Sequence, residues 1–345
     1  CYKKLSMSKK NSNVILKNRF KNYKELSHTY NIFKKKLNFF KKKKFLIAVS
    51  GGPDSLALTA LAKLYSYETK SKFYYVLVDH NLRKNSSREA QLVKKLLKKH
   101  QITLQVLKNK RIIKKNIQSE ARNVRYNLLT TFCKKKKIGM ILTAHNLEDQ
   151  VETFFIRLSR GSGLKGLSSM KALSKINNKV SLFRPLLDTR KQFLIKISKN
   201  IFGKHFKDPS NNNQKYLRVQ MRNLKKPLEK SGIKYEKIFK SIQNLSHSEK
   251  TLGEYFSKTF KELIKEANGV ILINLKKYND LNMETKIALI NKLIKRLKSN
   301  YYDLRSKKVE NLIWSIDKKE FKKSTLGGCI FFKKGRNLCL KVEKH

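Results

Sequence analysis

Acidic residues are scarce in this sequence. Asp and Glu number 24 against 81 Lys and Arg in 345 residues, a formal net charge of +57. So lopsided a surface disfavours acceptance of a polycation and favours a polyanion, with nucleic acid first. The excess is mostly Lys alongside many Asn and Ile, so genome-wide compositional drift explains the charge equally well. Cysteine is also sparse. Cys1, Cys133, Cys329 and Cys339 are scattered and no pair has C-x-x-C spacing, which excludes a disulfide framework and fits a reducing, cytoplasmic setting. No apolar run reaches the length of a membrane span, and the start lacks the apolar core of a secretory signal. The chain opens on Cys1, and Met7 is the expected start. Internal repeats and long disordered linkers are absent too.

What is present is enough for ordinary buried cores: 40% of residues are hydrophobic and the length allows two domains. Residues 1–43 read as a basic extension, polar and Lys-rich with interspersed Phe and Tyr. From residue 44 short β-rich runs alternate with segments of helical period. The runs are Phe45–Val49, Phe73–Val78, Ile102–Leu107, Ile138–Thr143 and Val180–Phe183. The intervening helices are expected at Asp54–Leu64, Ser86–His100, Ile117–Lys134 and Leu147–Leu158. This is the pattern of a doubly wound, mostly parallel α/β domain over residues 44–228. Residues 229–345 read as a smaller, mainly helical α+β domain, with helices at Tyr235–Lys265 and Met283–Leu297.

Parallel sheets of this kind bind ligands beyond the carboxyl ends of their strands. The first strand leads into Ser50-Gly51-Gly52-Pro53-Asp54-Ser55 and then a helix. Glycines let a phosphate approach the backbone, and the helix N-terminus offers amides and a positive dipole end. Asp54 suits a phosphate cradle only if a divalent cation bridges the two. No G-x-x-x-x-G-K-[ST] spacing is present, so this is not a Walker A loop. The alternative is a plain Gly-rich turn with a capping residue.

Further informative residues follow the other strands. Asp79 and His80 end the second; a carboxylate there can take adenosine hydroxyls, or the pair can simply cap the turn. Ser86 and Glu89 suit a capping box. Arg122 and Arg125, at i and i+3, can clamp phosphates or be a solvated pair. His145, Asp149 and Glu152 share one face if the helix has begun by His145. Arg218 and Arg222, at i and i+4, suit RNA phosphates or an ion-pair network around Asp208. The Gly161-Ser162-Gly163 stretch follows a helix and lacks the dinucleotide-binding context.

Taken in order, Ser50–Ser55, Val78-Asp79-His80-Asn81-Leu82-Arg83, Ala121-Arg122 with Arg125-Tyr126, and Thr143-Ala144-His145 through Thr153 resemble the tRNA(Ile)-lysidine synthetases. These belong to the PP-loop ATP pyrophosphatases. Arg160–Leu167, Arg184-Pro185-Leu186-Leu187 with Arg190, and Asp208–Asn211 with Tyr216, Arg218 and Arg222 extend the resemblance over about residues 44–225. Asn146 and Glu148 depart from the family's His and Asp. The resemblance implies ATP with Mg2+, free L-lysine and a CAU-anticodon isoleucine tRNA as partners, with a homodimer possible. It implies nucleotide contacts from Ser50, Gly51, Gly52, Pro53, Asp54, Ser55 and Asp79. Asp54 and Asp149 are the expected metal ligands, and Asp54, Arg122, Arg125, His145 and Asp149 the catalytic group. Arg184, Arg190, Arg218 and Arg222 are the expected RNA contacts, with the Lys-rich turn near Trp314 a further candidate. Rival readings are a tRNA thiolase, which usually carries paired cysteines, a small-molecule amidating synthetase, or an inactive RNA-binding relative.

Overall fold

The computed structural model describes residues 24–41, 43–82, 85–111, 116–206, 214, 216–267, 269–298, 306–318 and 320–343. Arg83 and the 208–211 segment lie outside them. The chain divides into two compact units, residues 1–246 and 247–345.

The first unit is built on helix α1 (Lys24–Asn38), strand β1 (Lys44–Val49), α2 (Pro53–Glu68), β2 (Lys72–Asp79), α3 (Ser86–Lys99), β3 (Leu104–Lys108), α4 (Ile117–Lys136) and β4 (Met140–Leu142). It continues with α5 (Leu147–Leu158), α6 (Leu164–Leu167), β5 (Leu173–Lys175), β6 (Ser181–Phe183), α7 (Lys191–Phe202), α8 (Leu217–Asn223) and α9 (Lys225–Lys230). Helix α10 (Tyr235–Leu263) begins in this unit and ends in the next. The sheet order is β3-β2-β1-β4-β6-β5. All neighbours pair in parallel except β5, which runs antiparallel to β6. The order reverses between β1 and β4, and at such a switch point the loops part to leave a crevice.

Both sheet faces are covered, as the near-continuous apolar strands require. From β1, Phe45, Ile47 and Val49 join a core with residues of α1, α2, α3 and α7. Leu46 points the other way, into a core with Leu129, Phe132 and Cys133 of α4. Helix α2 is buried along most of its length, every residue from Ser55 to Ala62 included. Sheet, α1 and α7 share the task of enclosing it. The expected basic extension therefore contains a core element: Leu26, Tyr30, Phe33 and Leu37, at i, i+4, i+7 and i+11, form the buried stripe of α1.

The second unit holds β7 (Ile264–Ala267), β8 (Val270–Asn274), α11 (Leu275–Asn279), α12 (Met283–Leu297), α13 (Ser306–Asp317), β9 (Lys323–Leu326), β10 (Cys329–Lys334) and β11 (Asn337–Val342). Its antiparallel sheet has the order β7-β8-β11-β10-β9. Leu289, Ile290, Leu293 and Ile294 of α12 pack with Ile313 of α13 and with Ile271, Phe331 and Leu340 of the sheet. No described helix is long and apolar enough to cross a membrane.

Candidate active site

The Ser50–Ser55 loop lies at the switch point, directly after β1. Gly51 adopts φ +84°, and a Cβ there would fall 2.5 Å from Val93 Cγ2. The Ser55 hydroxyl folds the loop over itself: it donates to the Gly52 carbonyl at 3.0 Å and accepts from the Ser50 amide at 3.1 Å. Gly52 caps α2 without a side-chain bond and Pro53 opens the helix, so the remaining first-turn amides are left for solvent or an anion.

Asp54 stands in the first turn of α2. Its carboxyl is pushed up to about 7, first by burial, then by the charges of Asp149 and Glu148, against Lys191 and the Asn146 amide. Its Oδ1 is buried without a hydrogen-bond partner. An oxygen so placed, beside other carboxylates, fits a divalent cation. Among the described residues no group of three or more His, Cys, Asp or Glu side chains could hold a metal ion. A cation held here would need most of its ligands from phosphate and water.

Asp149 is fixed by a reciprocal cap. Asn146 Oδ1 accepts from the Asp149 amide at 3.0 Å, and Asp149 Oδ2 accepts from the Asn146 amide at 3.1 Å. Asn146, where the resemblance leads one to expect His, is thus a working helix cap. Glu148 likewise has a role that its departure from the family pattern concealed. It accepts from the Lys191 amide at 2.8 Å, clasping the start of α7, and lies 3.4 Å from Lys225 Nζ.

His145 precedes the cap, so helical spacing does not align it with Asp149 and Glu152. Thr143 Oγ1 lies 2.9 Å from its Nδ1. Burial, then the charges of Arg184, Arg218 and Arg122, hold its pKa down at about 4 despite Asp149. The imidazole is neutral at physiological pH and serves as a hydrogen-bonding group. Arg122, stacked 5.0 Å over the Tyr126 ring, thus belongs with Arg184 and Arg218 in a cationic wall around His145.

The arginines expected to meet RNA have other engagements. Arg222 Nε donates to Glu152 Oε1 at 2.6 Å, and Arg218 Nε lies 3.1 Å from Glu152 Oε2. Arg222 also lies 3.9 Å from Asp149 Oδ1. Asp208, the expected centre of an ion-pair network, lies outside the described residues, and the pairs that Arg218 and Arg222 make here run to Glu152 and Asp149. Arg184 is 7% exposed and donates to the Lys171 carbonyl at 2.7 Å and to Ser174 Oγ at 3.1 Å. Arg190 pairs with Glu236 at 2.8 Å on the surface.

Asp79 is buried and its oxygens serve the turn after β2: Oδ2 accepts from Ser87 Oγ at 2.7 Å and Oδ1 from the Asn81 amide at 3.0 Å. Burial works to raise its pKa, but the hydrogen bonds prevail and hold it low. These bonds are the ones the turn-capping reading expects of Asp79. The anticipated Ser86 cap is replaced by Asn85, which makes no side-chain cap bond. The segment after α5 is fastened: Arg157 donates to the Gly166 and Ser169 carbonyls at 2.6 and 2.9 Å, and Gln150 pairs with the Met170 backbone. The sequence missed Glu152, Glu148, Asn146 and His80 as site residues. For Glu152 the signal was its position one turn beyond Asp149 in the same motif.

A nucleotide loop at the switch point of a parallel sheet, faced by Asp149 and an arginine wall, defines a PP-loop ATP-binding protein. The family model described as the PP-loop domain matches residues 22–228. The tRNA(Ile)-lysidine synthase of Orientia tsutsugamushi is 33% identical over 85% of this chain and 68% of the relative. The corresponding enzyme of Wolbachia pipientis is 34% identical over 85% and 69%. The chain belongs to the tRNA(Ile)-lysidine synthase family. Among solved structures, a U34-tRNA thiolase from Methanococcus maripaludis with a [4Fe-4S] cluster shares the fold, with a TM-score of 0.55 and 18% identity over 65% of this chain and 80% of that one. The described cysteines here, Cys133, Cys329 and Cys339, are all buried, and none belongs to the nucleotide loop or the Asp149 motif.

Proposed function

We propose that this protein ligates free L-lysine to C2 of the wobble cytidine of a CAU-anticodon isoleucine tRNA, consuming ATP. The observation that carries the reading is the Ser50–Ser55 loop set at the switch point with Asp54 and Asp149 as neighbours, in a chain of the tRNA(Ile)-lysidine synthase family. In the first step the cytidine C2 oxygen attacks the α-phosphorus of ATP, and the bond to the β-phosphate oxygen breaks to release pyrophosphate. In the second, an amine of lysine attacks C2, loses a proton, and AMP departs with the oxygen.

Each residue has work suited to its place. The loop amides and the α2 dipole receive phosphate oxygens. Arg122 and Arg125 stabilise charge that builds on the phosphates in the transition state. Neutral His145 donates or accepts a hydrogen bond within the arginine wall. Asp54 and Asp149 are the carboxylates we assign to Mg2+, which when bound neutralises phosphate charge. Arg218 and Arg222 are assigned to holding Glu152 and Asp149. Asp79 is assigned to shaping the turn that presents His80. RNA contact is assigned to the exposed Lys-rich surface, with Trp314 of the second unit, 54% exposed, offering a stacking face.

The test is incorporation of radiolabelled lysine into a CAU-anticodon isoleucine tRNA transcript with ATP and Mg2+, intact protein against Asp54→Asn. Label that requires both ATP and intact Asp54 supports the proposal. Pyrophosphate released on adding tRNA, but no label, moves the assignment to another nucleophile. No release and retained tRNA binding leaves an inactive binder.

A further inference from the structure

Resting on the adenylation reading above, we infer that His80 is a positioning residue that aims the Arg125 guanidinium. Arg125 Nε donates to His80 Nε2 at 3.3 Å, and Arg125 Nη2 lies 3.2 Å from the same nitrogen. Two guanidinium nitrogens converging on one ring nitrogen fix the direction in which the planar group points.

The chemistry of the contact suits the task. A guanidinium has only donors, so the ring nitrogen facing it must present a lone pair. The imidazole therefore carries its proton on Nδ1, an atom that is itself buried without a partner. Burial, and after it the charge of Arg125, keeps His80 neutral, with a pKa lowered to about 4 against the pull of Asp79. A neutral acceptor orients the arginine without adding a negative charge beside it. Arg222 has the opposite arrangement, since its partner Glu152 is a carboxylate.

The strand supporting His80 is itself braced. Asp79 next to it is tied to Ser87 and Asn81, and the Asn109 amide donates to the His80 carbonyl at 3.2 Å. His80 thus transfers the rigidity of the β2 end to a side chain on the exposed N-terminal part of α4. Misplacing a group that acts in the transition state lowers kcat more than it weakens substrate binding.

The experiment is a double-mutant cycle on the full chain, reading tRNA-dependent pyrophosphate release, with thermal melting of each variant as a folding control. His80→Ala is expected to lower kcat by about 10- to 100-fold while the KM for ATP changes by less than about threefold. His80→Gln, whose amide oxygen also accepts, is expected to recover most of that loss. In an Arg125→Ala background, adding His80→Ala is expected to change kcat by less than about twofold. Equal losses in both backgrounds, or a well-folded Gln variant no better than Ala, would overturn the role. No tRNA-dependent release from the intact protein would instead overturn the adenylation reading on which the role rests.

Discussion

Arg222 donates through Nε to Glu152 at 2.6 Å, and Glu152 is only 2% exposed. The bond joins α8 to α5, and Arg218 reaches the other oxygen of the same carboxylate. Removing one partner from a buried pair leaves a charge in poor solvent. Arg222→Ala, which takes the nearer cation from the buried Glu152 carboxylate, is therefore expected to destabilise the protein by about 3 kcal/mol, measured by urea unfolding. A loss below about 1 kcal/mol would show that water already screens the pair. Arg222→Lys, lacking the forked donors, is expected to recover little of it.

Asp54 makes a prediction with a definite sign. Its folded pKa, about 7, lies above the usual carboxyl value. The folded state therefore binds more protons than the unfolded chain between about pH 4 and 7, and this group's contribution to stability falls as pH rises through that window. Asp54→Asn is expected to abolish tRNA-dependent pyrophosphate release yet raise the melting temperature above pH 7 by a few degrees, on the order expected for 1 kcal/mol. Melting the two proteins at pH 5 and pH 8 is the check: the gain should be larger at pH 8. An equal gain at both would remove the electrostatic cause.

Gly51→Ala must place a Cβ at φ +84° and 2.5 Å from Val93 Cγ2. The left-handed conformation alone costs about 1–2 kcal/mol for a residue with a side chain. ATP affinity, measured by calorimetry, is expected to fall along with stability, because the loop must shift to relieve the clash. Adding Val93→Ala should return part of both losses. If Val93→Ala returns neither, the contact is not what dictates glycine.

Asn146→Ala deletes one arm of the reciprocal cap on α5 and is expected to cost about 1 kcal/mol of stability. Asn146→Asp keeps the acceptor and should retain the cap, although it adds a negative charge near Asp54. The two variants separate by melting and by ATP affinity: Ala should lower both, Asp chiefly the affinity measured without Mg2+.

Phe33 is fully buried in the core beside α2 and packs edge-on against Tyr65 at 6.2 Å. Phe33→Ala is expected to cost about 3–5 kcal/mol by urea unfolding. A truncation meant to probe the basic N-terminal segment must accordingly stop before residue 24, since removing residues 1–40 would take α1 with it.

The parallel strands and the helices between them were legible because each has a strong period and sharp edges. The Ser50–Ser55 loop and Asp149 were legible as motif residues in strand–loop–helix context. Helix α1 was not, although its apolar spacing is regular, because lysines between the core positions gave the segment a polar average. The antiparallel β5–β6 hairpin escaped because β5 has three residues, two of them exposed, too few to show a period. The partners of Arg184, Arg218 and Arg222 were beyond reach for another reason. A guanidinium can meet phosphate or carboxylate, and which one it meets depends on residues 70 positions away, as Arg222 and Glu152 show.

Helix α2 contains one lysine in sixteen residues and no arginine, in a chain where basic residues are otherwise spread through almost every segment. A side chain enclosed on all sides cannot exchange for an ammonium without stranding it, so the buried run from Ser55 to Ala62 holds no lysine, and the helix's one lysine, Lys63, stands at the first partly exposed position after it. Places where the lysine tide stops short, read along such a sequence, chart the protein's interior as an outline of dry ground.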